Sequence, residues 1–180
     1  MIPVKVHKIA YYPANRSYTV ILQEIVGRRI LPVVVGAFEA QAIALSLEAL
    51  KTPRPLTHDL IINIIRGFSS RLVSVSINKI KDGVFFSVLN LEGDLNGSLE
   101  IDSRPSDALA IALRLDVPIF VGKKVMEEAS ITENDLTINS VPAPSELENL
   151  ETRLAQAVEQ ENYEIAAKIR DKIKGLNPVK

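Results

Sequence analysis

The chain has 180 residues, 47% of them apolar, with 21 basic and 22 acidic side chains and a net charge of −1. That length fits one ordinary domain with a small appendage, and the apolar share supplies a substantial core. The lack of cysteine excludes a disulfide framework and a thiolate metal site. The even charge balance, fifteen of each sign in residues 1–144, excludes the basic surplus with which dedicated nucleic-acid binders displace counterions.

The N-terminal stretch Met1-Ile-Pro-Val-Lys-Val-His-Lys8 lacks the apolar centre of a signal peptide. No apolar run approaches the roughly 20 residues of a membrane helix. A cytoplasmic protein is the expectation. In chain order, period-two alternation predicts strands over Val4–Tyr11 and Tyr18–Glu24, joined by a loop at Pro13-Ala-Asn-Arg16. A third strand follows at Arg29–Val35, then a helix over Glu39–Leu50 and another over Thr57–Gly67, for which Thr57 is the expected cap. The order then recurs: strands Val73–Ile80 and Phe85–Leu91 around the turn Lys81-Asp-Gly83, a strand Ser98–Ile101, a helix Ser106–Leu115, a strand Pro118–Val121 and a helix Lys123–Ala129. The helices Glu39–Leu50 and Ser106–Leu115 carry Ala, Ile and Leu around much of their circumference, so both are expected to be buried.

That recurrence has a fixed offset of 68 residues. Tyr18-Thr-Val-Ile21 falls on Phe86-Ser-Val-Leu89, Leu31 on Leu99, and Glu39-Ala-Gln-Ala-Ile-Ala-Leu45 on Asp107-Ala-Leu-Ala-Ile-Ala-Leu113. The expected fold is α+β, a mixed sheet with buried helices, built by tandem duplication of residues about 1–68 and 69–139. Positions shared at the offset read as core. Residues 140–144 form a Pro-containing linker. Ser145-Glu-Leu-Glu148 then matches a capping box, opening an antiparallel helical hairpin over 145–180 with apolar stripes at Leu147, Leu150, Leu154 and Val158 and at Ala166, Ile169, Ile173 and Leu176. So short a hairpin buries little core and is either marginal alone or completed by a partner.

Polar clusters found in only one copy of the repeat are where function is sought. Arg54-Pro-Leu-Thr-His58-Asp59 maps onto Gly122-Lys-Lys-Val-Met126-Glu127, and Asp102-Ser-Arg104-Pro-Ser-Asp107 onto Val34-Val-Gly36-Ala-Phe-Glu39. A structural reading makes Ser106, Asp107 and Glu39 ordinary helix-start residues and His58 a structural hydrogen-bonding group. A functional reading gives Asp102, Asp107 and Glu39 a hard cation, Mg²⁺ or Mn²⁺, with Arg104 and Arg54 gripping a phosphate. His58 then moves a proton, with Asp59 or a neighbouring carboxylate orienting it, and Asp107 is counted with His58 and Asp59 as a catalytic candidate. His7 reads as a strand surface residue. No Gly-rich phosphate loop, H-E-x-x-H zinc helix or G-x-S-x-G nucleophile turn is present.

Residues 1 to about 135 resemble the bifunctional nuclease domain family. The likeness is carried by Leu31-Pro-Val-Val-Val-Gly36, Glu39-Ala-x-Ala-Ile-Ala44, Arg54-Pro-Leu-Thr-His-Asp-Leu60, Ile101-Asp-Ser-Arg-Pro-Ser-Asp-Ala108 and Pro118-Ile-Phe-Val121. It implies cleavage of both DNA and RNA, here expected with divalent-metal assistance. Residues 147–176 resemble the UVR motif through Tyr163-Glu-x-Ala-Ala-x-x-Arg170-Asp171-x-Ile173, which implies contact with another protein. The alternative is a non-catalytic regulatory or scaffold protein acting through that hairpin, and the apolar share also leaves room for a homo-oligomer.

Overall fold

Three strands joined by short connections open the chain: β1 (Ile2–Tyr12), β2 (Ser17–Glu24) and β3 (Arg29–Val35). Residues 1–12, 17–50, 52–94 and 97–132 are described by a computed structural model. The expected linker and C-terminal hairpin lie outside them. Two helices follow, α1 (Ala37–Leu47) and α2 (Thr57–Gly67), then a second set of three strands, β4 (Ser70–Lys81), β5 (Val84–Gly93) and β6 (Gly97–Ser103). The described chain ends with α3 (Pro105–Leu115), β7 (Ile119–Val121), α4 (Lys123–Ala129) and the two-residue β8 (Ile131–Thr132). The fold is α+β, as expected.

All eight strands form one mixed sheet in the order β6-β5-β4-β7-β1-β2-β3-β8. Short β7 is the seam between the two three-stranded sets. It runs antiparallel to β1, with Ile2 opposite Val121, and parallel to β4, with Val75 opposite Ile119. Gly122, just past β7, donates its backbone N–H to the carbonyl of Ile77 at 2.8 Å. Displaced by 68 residues, the bounds of β3 and α1 coincide with those of β6 and α3. Pairs such as Val6 with Leu22 and Ser74 with Asn90 also correspond at that offset. His7 is exposed at a bulge in β1, in line with its surface reading.

α3 is the helix around which the domain packs. Ser106 and every residue from Ala108 to Ala112 are buried, and its alanines let α1, α2, β4 and β5 approach closely. Pro105 at the first helical position supplies a preset φ and lacks an N–H that would find no partner there. α1 departs from the expectation of burial: only Ala40 and Ile43 are buried, and Phe38 is 85% exposed. It lies against α3 and β2 with one side, leaving the other outside the core. The repeat offset misleads at Leu99. Leu31 is fully buried but Leu99 is 42% exposed, because β6 is a sheet edge and pairs with β5 one residue out of the register that β3 keeps with β2.

The turn between β2 and β3 is held by an ion pair that sets a pH-dependent share of stability. Arg29 donates from Nε at 3.1 Å and from Nη2 at 2.8 Å to the largely buried carboxylate of Glu24. Gly27, with φ of +152°, sits beneath that carboxylate where a Cβ would collide with it. The hydrogen bonds from Arg29 hold the Glu24 pKa below its usual 4.5. A depressed folded pKa contributes stability that is present above the unfolded value and disappears as pH falls through the folded one. Glu24→Gln is expected to cost about 1 kcal/mol at neutral pH. The gap from wild type should close on acidification below the usual carboxylate range. Thermal denaturation of both proteins in neutral and strongly acidic buffer measures it.

Candidate functional site

Two helix starts meet across the domain, and each brings a carboxylate. α1 begins after Gly36 and α3 after Arg104, both with extended backbone at the cap and neither with a side-chain cap hydrogen bond. Glu39 and Asp107, equivalent at the 68-residue offset, stand at the third helical position of α1 and α3. Both turn toward Arg104. Its Nε donates to Asp107 Oδ2 at 2.8 Å, its Nη2 to Asp107 Oδ1 at 3.2 Å, and its Nη1 to Glu39 Oε1 at 3.1 Å. These bonds, Asp107 first, raise the Arg104 pKa further above the guanidinium range. Three of the five guanidinium N–H groups are thus engaged, leaving two on a side chain that is 67% exposed. Glycine at position 36 gives Glu39 its room: a Cβ there would lie 2.5 Å from Glu39 Oε2.

The third element is α2. His58, in its first turn and mostly buried, places Nε2 3.4 Å from Asp107 Oδ1. That is longer than an ordinary hydrogen bond, a spacing common at catalytic pairs before substrate tightens them. Glu39, Arg104, Asp107 and His58 come from three separate segments and line one open cavity of about 840 Å³. Asp107 is thus the neighbouring carboxylate that can orient the imidazole.

Three other expected site residues lie elsewhere. Asp59 points away from this network. Its Oδ2 accepts the backbone N–H of Leu56 at 2.9 Å, which makes Asp59, rather than the expected Thr57, the group that caps α2. Its Oδ1 accepts from Arg114 Nε at 3.0 Å. Arg54 is exposed in the loop before α2, where its carbonyl accepts from Thr52 Oγ1 at 2.6 Å and its side chain lies outside the network. Asp102 stays on the exposed edge strand β6, opposite Val88.

Fit to Mg²⁺ or Mn²⁺ can be judged from the donor set. Among the described residues, no three His, Cys, Asp or Glu side chains gather closely enough to hold a metal ion. The two carboxylates that do approach each other share a guanidinium, a cation already in place. The residues as arranged do not fit a divalent ion.

Sequence reasoning missed Arg114. Its side chain, 11% exposed, reaches Asp59, the carbonyls of Ala42 at 3.1 Å and Ala110 at 2.9 Å, and Ser46 Oγ. One guanidinium therefore ties α1, α2 and α3 together. The available signal was a single basic residue inside the apolar run Ala-Ile-Ala-Leu-Arg-Leu.

Fold and cleft define an α+β domain with a histidine-bearing charged site where two helix starts meet. The Bifunctional nuclease domain profile matches residues 20–134, and the chain belongs to that family. The UvrB/uvrC motif matches residues 144–177. An uncharacterized protein of Mycobacterium tuberculosis is 39% identical over 119 residues, spanning 66% of this chain and 70% of the relative. Bifunctional nuclease 1 of Arabidopsis thaliana is 26% identical over 167 residues, 80% of this chain and 51% of that protein. Bifunctional nuclease 1 of Oryza sativa subsp. japonica is 24% identical over 168 residues, again 80% of this chain and 50% of the relative. The chain thus spans about half the length of the plant proteins. Among the described residues, no helix is long and apolar enough to cross a membrane.

Proposed function

We propose that the chain is a nuclease that hydrolyses phosphodiester bonds of DNA, RNA or both at the cleft of His58, Asp107, Arg104 and Glu39. The observation that carries this reading is the linked network itself, with His58 and Arg104 both engaging Asp107 at the edge of one cavity. With its Nε2–H donated to Asp107, His58 takes a proton on Nδ1 from the attacking water as that oxygen bonds to phosphorus. The bond to the leaving oxygen breaks, and the leaving oxygen takes a proton from solvent water. Arg104 offers its two remaining N–H groups to the phosphoryl oxygens, where charge builds. Asp107 orients the imidazole and Glu39 holds the guanidinium from its other side. Asp59 and Arg54 lie outside this step. Assistance by Mg²⁺ or Mn²⁺ is a condition of the assay rather than part of the derived step, since a cation would have to separate the carboxylates from Arg104.

The names of the plant relatives support the nuclease reading. Two further parts of the proposal rest on the sequence: the 68-residue correspondence as tandem duplication, and residues 144–177 as a protein-contact segment. The lack of cysteine suits a reducing compartment such as the cytoplasm. Neutral charge and the UvrB/uvrC motif favour a second reading, a regulatory or scaffold protein without catalysis. Labelled single-stranded DNA and RNA, incubated with pure protein in Mg²⁺, Mn²⁺ or chelator, separate the two. The nuclease reading expects cleavage that collapses in folded His58→Ala and Asp107→Ala variants. Cleavage unchanged in both contradicts this site, and no cleavage under any condition favours the scaffold.

A further inference from the structure

The cavity beside the His58–Asp107 pair has two kinds of wall. Its charged end is the network described above. Its flank is α1, where Phe38 precedes Glu39 and the line continues through Ala42 and Leu45 at helical spacing, facing Leu56 and Ile61 across the opening. Phe38 is 85% exposed, an aromatic ring left in solvent one residue from the site. A slot of about 840 Å³ with one apolar aromatic wall and a guanidinium at its end matches a nucleotide, whose flat base and phosphate have the same division.

We infer that this slot seats an unpaired nucleobase stacked on Phe38, so that the nucleic acid taken is single-stranded. The inference rests on the nuclease reading and supplies what the charge count withholds. With fifteen charges of each sign in residues 1–144 and two carboxylates around Arg104, phosphate attraction gives little affinity. Stacking works without net charge and is indifferent to base identity, which suits a site open to both DNA and RNA. Base pairs inside a duplex hide the faces it needs. Gln41 also lines the slot.

The test is binding by full-length protein carrying His58→Ala, which suppresses cleavage. The probe is a labelled oligodeoxythymidine of about twelve nucleotides, beside the same strand with abasic sites and a duplex of equal length. Adding Phe38→Ala is expected to weaken binding of the base-bearing strand about tenfold while leaving the abasic strand unchanged, and Phe38→Trp to bind at least as tightly as the parent. The duplex should bind more weakly than the single strand. Equal loss on both strands, no loss on either, or a change in sedimenting mass showing Phe38 buried against a second copy would overturn the inference. Equal binding of base-bearing and abasic strands by an otherwise active nuclease overturns the base subsite alone. A wild-type chain that neither binds nor cleaves nucleic acid overturns the nuclease reading and the subsite together.

Discussion

Replacing His58 with alanine is expected to slow phosphodiester cleavage about 10²–10⁴-fold, the range over which a positioned general acid–base group accelerates proton transfer. The imidazole is the group in the cavity that can accept a proton and lies next to an ordered carboxylate. Removing it should leave the fold in place, because its described polar contact is the single one to Asp107, and Asp107 keeps both of its bonds from Arg104. Initial rates under saturating substrate, with the circular dichroism melt as a control for folding, give the loss. A rate within a few-fold of wild type removes His58 from the chemistry.

The largest expected stability loss is at Arg114. Arg114→Met keeps an aliphatic stem but deletes a guanidinium that bonds Asp59, Ser46 and two helix carbonyls while only 11% exposed. Breaking a buried ion pair from one side costs about 3–5 kcal/mol. Asp59 is 35% exposed and keeps the Leu56 N–H, so water recovers part of that and the expected cost is about 3 kcal/mol. Arg114→Lys should recover little, since an ammonium cannot reproduce the planar fork that serves three helices at once. Urea denaturation measures both, and a loss below the roughly 1 kcal/mol of an ordinary surface pair would show that the guanidinium does not hold the helices together. Asp59→Asn completes the comparison. It should lower stability yet leave the cleavage rate expected of the folded protein nearly unchanged, in contrast to Asp107→Asn.

Much of the element order was legible because period-two and helical patterns are local. Seven of the strands and all four helices of the described chain fall where apolar spacing put them. β8 was not legible, since two residues carry no period. The place of β7 between β1 and β4 was not legible either: Ile-Phe-Val reads as a strand, but which neighbours it pairs with is decided by packing far along the chain. The offset of 68 located the helix starts that carry Glu39 and Asp107, yet it overstated burial at Leu99, where local composition repeats and tertiary surroundings do not.

At the site, residue type was legible and partnership was not. His58, Asp107, Arg104 and Glu39 were singled out from one-copy clusters and paired helix starts, and they meet. Asp59 sits next to His58 in sequence, but consecutive helical residues diverge by about 100°, which sends it to Arg114 instead. Asp102 is separated from Asp107 by the strand-to-helix junction and remains on the exposed edge strand β6. Arg114 was passed over because a single charge in an apolar helix looks like a solvated residue until the carbonyls around it are seen.

The central claim is that His58 and Asp107 act as one catalytic unit. A double-mutant cycle on single-turnover cleavage tests it most directly, comparing wild type, His58→Ala, Asp107→Ala and the double variant. Groups that work as a unit are strongly non-additive. The account predicts that the double variant is hardly slower than His58→Ala alone. Losses that simply multiply would contradict it, showing two independent residues that happen to lie 3.4 Å apart.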